Sequence, residues 1–188
     1  MKPSLVIVGL GNPGASYDRT RHNVGFRAID LLSESFGQGV WKEQQKFKAF
    51  VQEARIVTVP VLLVKPQTFM NLSGDAARKI VDFYKLQPAQ QVLVLCDDVD
   101  LERGTLRLRL TGGPGTHNGL KSLVEQFGEA FPRIRIGVGP QPQGGDLATW
   151  VLSVPPAAEE DAIAQALHSL PDLVKDFVLN GGTATTIA

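Results

Sequence analysis

The sequence predicts one α/β domain over residues 1–188, with a twisted, mixed and mostly parallel sheet flanked by helices. Residues 5–10 are apolar at every position, a pattern typical of a strand buried on both faces of an α/β sheet. Strand-like and helical patterns alternate along the chain, without repeats or a clear linker. A chain of 188 residues is long enough to bury roughly two-thirds of its unfolded surface in one core.

The first helix and the strands around it follow from the apolar pattern. A glycine-rich turn ends the strand at residues 5–10, and a helix is expected next because Ala28, Ile29 and Leu32 fall on one side of it. Two further strands are expected at residues 47–54 and 56–64.

The middle of the chain combines a helix with two strands of different kinds. Ser73 is suited to cap a helix with apolar side chains facing the core. Residues 91–96 form another apolar strand, which we expect to end at Asp97 and Asp98. Residues 105–110 alternate leucine with arginine, which predicts a half-buried strand with one arginine face.

The last third of the chain is predicted to be mainly helical. A helix is expected from about Asn118, followed by a strand at residues 134–138. Residues 157–179 are amphipathic, and Pro171 is expected to interrupt this helical segment.

The composition excludes several classes of protein. The single cysteine, Cys96, excludes an intrachain disulfide scaffold and zinc sites built on paired cysteines. The apolar runs at residues 5–10 and 59–64 fall far short of the ~20 residues that a membrane helix needs. The first run is also shorter than the apolar core of a signal peptide, about 7–15 residues. We therefore expect a cytoplasmic protein that has no membrane partner.

The charges cancel over the whole chain but are unevenly placed along it. Residues 1–140 carry 18 basic and 13 acidic side chains, whereas residues 141–188 carry one basic and six acidic ones. A moderately basic body is compatible with a polyanionic partner, but ordinary scatter of surface charge explains it equally well. The distribution of charge alone therefore does not show whether the protein binds a polyanion.

Residues 9–14, GLGNPG, match the G-x-G-x-x-G pattern of dinucleotide-binding loops. Two features count against that function. Pro13 lacks an N–H that could face a pyrophosphate, and no acidic residue ends a second strand about 20 positions later. The loop is better suited to present Asn12 at the C-terminal end of a strand, although a turn in which Asn12 bonds its own backbone is an equal alternative. Dinucleotide binding is kept as a minority hypothesis.

Polar residues follow several predicted strands and are placed to share one crevice. His22 and Asp97 together offer a base and an orienting carboxylate, the pair that activates water near neutral pH. Taken singly, each also has an ordinary structural explanation, as a surface histidine or a helix-capping acid.

Nucleophilic and metal-assisted chemistry have less support in the sequence. There is no G-x-S-x-G motif, and the place of Cys96 in an apolar strand favours an inert core thiol. His22, His117 and His168 do not have the spacing of metal ligands, so no metal site and no cofactor are expected. If the protein is a hydrolase, water is the expected attacking group.

The chain resembles the bacterial peptidyl-tRNA hydrolases in several motifs that occur in order over about residues 4–155. Long motifs in register are far more specific than a single glycine pattern. The motifs are GLGNPG at 9–14, Tyr17, TRHN at 20–23, KPQTFMNLSG at 65–74, DDVDL at 97–101, HNGLK at 117–121 and RIRIGVG at 133–139.

The resemblance implies hydrolysis of the ester that joins a peptide to the 3′-terminal ribose of tRNA, which recycles tRNA from stalled translation. It also implies a monomer with no cofactor and no obligate protein partner. His22 would be the general base that activates water, Asp97 would hold and stabilise it, and Asn12 would contact the peptide backbone near the ester. The other implied contacts are Asn71 and Asn118 on the substrate, Tyr17, Phe69 and Met70 along the crevice, and Arg109 and Arg135 on tRNA phosphates.

A protein that binds RNA without cleaving it is the main alternative, and the joint presence of His22 and Asp97 disfavours it. The chain departs from the usual family pattern at Cys96, Pro114 and Thr116, and it carries no basic residue after Lys175. These departures leave open the environment of Asp97, the stiffness of the loop before His117 and the strength of tRNA binding.

Overall fold

The computed structural model describes residues 2–188 and contains one eight-stranded sheet with helices on both faces. The strands lie side by side in the order β2-β3-β4-β1-β5-β7-β6-β8. They are β1 (Leu5–Gly9), β2 (Gly37–Gln44), β3 (Ala49–Ile56), β4 (Val59–Pro66), β5 (Val92–Glu102), β6 (Leu106–Arg109), β7 (Arg133–Gly139) and β8 (Thr185–Ile187).

The sheet has a parallel centre and antiparallel sides. Strand β1 pairs in parallel with β4 and β5, and β5 pairs in parallel with β7. The predicted α/β domain with a mixed sheet is confirmed. The sheet is mostly parallel only at its centre, however, because four of its seven pairings are antiparallel. Short turns join antiparallel neighbours such as β3 and β4, which extends the sheet without a crossover helix.

Helices cover both faces of the sheet and enclose two apolar clusters. They are α1 (Val24–Phe36), α2 (Ser73–Tyr84), α3 (Pro88–Gln91), α4 (Asn118–Phe127), α5 (Leu147–Val151), α6 (Ala157–His168) and α7 (Leu170–Asn180). Helices α1, α6 and α7 supply one cluster, and α2 and α4 supply the other. The apolar run of β1 alternates between the two clusters, as expected for a strand buried on both faces.

The long C-terminal segment breaks where Pro171 predicted it. Helix α6 ends at His168, and α7 begins at Leu170 with the proline in its first turn. The predicted cap of α2 is wrong, because Ser73 is the first residue of the helix and its hydroxyl donates to the Met70 carbonyl at 2.9 Å. Strand β5 runs beyond Asp97 to Glu102, since its pairing with β7 resumes there. Strands β2 and β8 and the short helices α3 and α5 had no clear sequence signal.

Glycines let α1 pack directly on the backbone of the central strands. A Cβ atom on Gly25 would lie 2.6 Å from both Leu10 N and Leu95 O, and one on Gly9 would meet the carbonyl of Gly25. A Cβ on Gly11 would lie 2.6 Å from the ring of Phe26. Gly9 and Gly11, two of the three glycines in the loop that resembles a dinucleotide-binding loop, are thus accounted for by close packing against α1.

Among the described residues, no helix combines the length and the apolar character needed to cross a membrane.

We expect Gly25→Ala to lower the free energy of unfolding by about 3 kcal/mol, because the added methyl group meets backbone atoms of two central strands that cannot move aside. Urea denaturation measures the change. Ser35→Ala, at an exposed position of the same helix, is the control and should stay within about 0.5 kcal/mol of the parent. Equal stability of the parent and Gly25→Ala would contradict this packing.

Candidate active site

Asp97 lies where β5 extends beyond the end of β1. The last residue of β1, Gly9, pairs with Leu95, so Asp97 is two residues further along. Alternation along β5 puts Asp97 on the same face as Leu93 and Leu95, the face on which α1 packs. Its side chain is 3% exposed. The carboxylate is therefore buried at the carboxyl edge of the parallel strands, where α/β sheets bind ligands.

His22 reaches Asp97 from a single 3-10 turn, Arg21–Asn23, that leads directly into α1. His22 Nδ1 lies 2.8 Å from Asp97 Oδ1 and 3.0 Å from Oδ2. Since an ionised carboxylate only accepts hydrogen bonds, Nδ1 carries the proton and Nε2 keeps its lone pair. The imidazole is therefore oriented as a general base, with the carboxylate behind it.

His117 makes a second contact with the same carboxylate, which the sequence did not anticipate. Its Nε2 lies 2.9 Å from Asp97 Oδ1. Its Nδ1 accepts from the backbone N–H groups of Gly119 and Leu120 and so caps α4. A ring nitrogen that accepts is unprotonated, so the N–H of His117 is on Nε2 and donates to Asp97. His117 belongs to a motif quoted for the family, but its local sequence gave no sign of this contact.

The pKa values of the pair follow from burial and from their mutual attraction. Burial opposes the charged form of His22, but the charge of Asp97 and its hydrogen bond outweigh burial and raise the pKa of His22 above 6.5. Burial would raise the pKa of Asp97, yet His117 and His22 together hold it well below its usual range. Asp97 is thus ionised at neutral pH.

The cluster of His22, Asp97 and His117 has the composition of a metal site but not the right protonation. Their potential ligand atoms lie within 4.8 Å of one another. A metal on His117 Nε2 would need the lone pair of that nitrogen, while Nδ1 already uses its own lone pair to accept two backbone hydrogen bonds. The two requirements conflict in a neutral ring, so the donor set fits a hydrogen-bonded triad better than a metal ion.

Asn12 is tied to Asn23, the residue after His22, by a network of amide hydrogen bonds. Its backbone N–H donates to Asn23 Oδ1 at 2.9 Å, and Asn23 Nδ2 donates to the Asn12 carbonyl at 2.9 Å. Its side-chain Oδ1 accepts from the Met70 N–H at 2.8 Å. Asn12 Nδ2 has no hydrogen-bond partner among residues 2–188, so this donor is unpaired.

A cleft of about 310 Å³ opens in front of His22 and Asp97. Asn118, the first residue of α4, and Arg135, on β7, contribute to its lining. Arg135 Nε lies 3.1 Å from Oδ2 of the buried Asp98, which offsets part of its charge. The remaining lining residues are Val99, Asp100, Pro114, Gly115, Thr116, His117, Asp146, Leu147, Ala148 and Val151.

The other predicted site residues lie outside the lining of this cleft. Phe69 is 55% exposed and Asn71 is also exposed, whereas the side chain of Met70 is buried in the core. Tyr17 is half-buried on the loop after Asn12, and Arg109 lies on β6. The structure thus brings together His22, Asp97, Asn118 and Arg135 in the lining of one cleft, and the remaining predicted residues are not part of that lining.

Arg21, the neighbour of His22, anchors the 3-10 turn to the C-terminal part of the chain. Its guanidinium group is buried, stacks 3.6 Å from the ring centre of Trp150 in α5, and donates to Ser153 Oγ and Glu159 Oε2 at 2.6 Å each. Helix α5 also forms a wall of the cleft. This clamp holds the wall and the turn of His22 together.

These contacts predict the neutral tautomers of both rings. In their neutral states, we expect His22 as the Nδ1–H form and His117 as the Nε2–H form, which two-bond ¹H–¹⁵N correlation spectra distinguish. The exposed His168 is the internal control and should show a mixture. Finding His117 as the Nδ1–H form would rule out its bond to Asp97.

Comparisons with known proteins agree on one family. The family model for peptidyl-tRNA hydrolase matches residues 6–187. The peptidyl-tRNA hydrolase of Alkaliphilus metalliredigens is 48% identical over 177 residues, 94% of each chain, and that of Chloroflexus aggregans is 46% identical over 180 residues, 95% of each. The crystal structure of peptidyl-tRNA hydrolase from Acinetobacter baumannii superposes with a TM-score of 0.89 at 34% identity, over 96% of this chain and 91% of that one. The chain therefore belongs to the peptidyl-tRNA hydrolase family of hydrolases.

Proposed function

We propose that this protein hydrolyses the ester between the peptide and the 3′-terminal ribose of peptidyl-tRNA, using water activated by His22, and so recycles tRNA from stalled translation. The observation that carries the mechanism is the His22–Asp97 pair at the cleft: His22 Nδ1 lies 2.8 Å from Asp97 Oδ1, and His22 Nε2 has no hydrogen-bond partner among residues 2–188. Because peptidyl-tRNA arises in translation, the expected place of action is the cytoplasm.

The proposed reaction needs one proton shuttle. His22 Nε2 removes a proton from water, and the resulting hydroxide attacks the ester carbonyl carbon. The tetrahedral intermediate then expels the ribose oxygen, which takes the proton from His22. The peptide leaves as a carboxylic acid, which loses its proton to solvent and becomes a carboxylate. Asp97 stabilises the imidazolium that forms between the two steps. General-base catalysis of this kind contributes about 10²–10⁴-fold to the rate.

Neutral amides around the triad suit recognition of any peptide. An amide satisfies the N–H and C=O groups of a peptide backbone whatever its side chains are. Asn12 is hydrogen-bonded to Asn23, the residue after His22, and we assign its Nδ2 donor to the peptide next to the ester. A free α-amino group is charged and would lose hydration there, which favours peptidyl-tRNA over aminoacyl-tRNA. Asn71 and Asn118 are proposed to extend this amide surface.

Arginines on one face of β6 and β7 are proposed to contact tRNA phosphates. Leu106 and Leu108 point into the core, so Arg109 on β6 projects from the opposite face, which it shares with Arg135. Arg133 lies on the same face but is buried and donates to the backbone carbonyls of Gly112 and Glu129, which gives it a structural function. Phosphate contacts of this kind would make tRNA affinity fall with salt.

We expect His22→Ala to slow the release of tRNA from N-acetyl-aminoacyl-tRNA by about 10²–10⁴-fold, because the general base is lost. Deacylated tRNA is separated from the ester and quantified over time. The unblocked aminoacyl-tRNA should be a poor substrate for the parent protein.

His168→Ala is the matched control, because it removes an exposed histidine and should leave the rate unchanged. Circular dichroism verifies that both variants are folded. An unchanged rate in His22→Ala would refute the assigned base. If the parent bound tRNA but left the blocked ester intact, RNA binding without cleavage would replace the proposal.

A further inference from the structure

Two histidines donate to the same oxygen of Asp97. His22 Nδ1 lies 2.8 Å from Oδ1, and His117 Nε2 lies 2.9 Å from the same atom. The centroids of the two rings are only 4.9 Å apart, so the rings lie next to each other at this oxygen. Asp97 is almost fully buried, so these donors supply the stabilisation that solvent would otherwise give to its charge.

The orientation of His117 is fixed independently of Asp97. Its Nδ1 accepts from the N–H groups of Gly119 and Leu120, at 3.1 Å and 3.2 Å. The ring is therefore anchored to the first turn of α4, which begins at Asn118 in the lining of the cleft. Turning the ring over would lose the helix cap and the donor at the same time.

We propose that His117 is a positioning residue that sets the basicity of His22 through the carboxylate that the two rings share. The inference rests on the proposed function, in which His22 is the general base. A hydrogen bond from His117 stabilises the negative charge of Asp97 and so weakens its pull on a proton at His22. His117 thereby keeps His22 unprotonated to a lower pH than Asp97 alone would allow.

The sign of this effect does not depend on the charge of His117. A neutral His117 donates a hydrogen bond to Asp97 and so weakens the attraction between the carboxylate and a proton on His22. A protonated His117 would in addition repel that proton. Loss of either form therefore raises the proton affinity of His22. The other charged side chains of the cleft are left in place by a change at residue 117. They are Asp98, paired with Arg135, and Asp100 and Asp146.

Two substitutions separate the two functions of the ring. In His117→Asn the side-chain oxygen stands near the position of Nδ1, so the helix cap is kept and the donor to Asp97 is lost. In His117→Gln the amide nitrogen stands near the position of Nε2, so the donor is kept and the cap is lost. His117→Leu fills the space without any polar atom and controls for the entry of water.

The experiment is an NMR titration of the His22 ring in the three variants and the parent. We expect the pKa of His22 to rise in His117→Asn and His117→Leu and to stay at the parent value in His117→Gln. The acid limb of kcat/KM for N-acetyl-aminoacyl-tRNA should shift in parallel, so His117→Asn loses several-fold more rate at pH 6 than at pH 8. Loss of the cap should instead lower Tm by about 2–4 °C in His117→Gln, without moving the acid limb.

An unchanged pKa of His22 in His117→Asn would overturn the proposal, and so would a rise confined to His117→Asn, which indicates entry of water. The titration needs no substrate. A protein that fails to cleave the ester but shows the expected shifts would therefore contradict the proposed function while leaving the coupling of the two histidines intact.

Discussion

The buried negative charge of Asp97 is the constraint around which the site is organised. A carboxylate that is 3% exposed persists only where donors replace the water it has lost, and His22 and His117 are those donors. One bond leaves His22 with a free lone pair at Nε2, and the other ties the carboxylate to the capped end of α4. The same electrostatic requirement thus orients the base and joins two helices that lie on opposite faces of the sheet.

The carboxyl ends of the parallel strands bring Asp97 and its hydrogen-bond donors together. Strand β5 continues past the last residue of β1, so Asp97 has no pairing partner on β1. Gly9 and Gly25 let α1 begin almost in contact with the backbone of the sheet. The 3-10 turn that leads into α1 places His22 within hydrogen-bond distance of the carboxylate. Arg21 extends the arrangement to Trp150 and Glu159, more than a hundred residues away. Close packing of α1 and the charge pairs of Arg21 and His22 therefore both fix the segment that carries His22.

Local patterns in the sequence predicted the elements that bury apolar side chains, and long-range contacts account for what they missed. The apolar run of β1 indicates a strand buried on both faces, and the leucine–arginine alternation of β6 indicates a strand buried on one face. Both strands were therefore predicted. The family motifs pointed to His22 and Asp97. Nothing in the spacing of His117 could reveal its bond to Asp97, because a loop with Pro114 and Gly115 has no periodicity. Likewise, a buried Arg21 depends on an aromatic partner that only the fold brings near.

The proposed mechanism depends most on the identity of the titrating base, and a comparison of the kinetic pKa with the pKa of His22 measured by NMR tests that identity directly. We expect the acid limb of kcat/KM to give the pKa that NMR measures for His22 in the free protein, above the ordinary value of 6.5. In Asp97→Asn both values should fall together, because the raising charge is gone while the burial of His22 stays. A kinetic pKa that differs from that of His22, or that stays in place when the His22 value moves, would contradict the account.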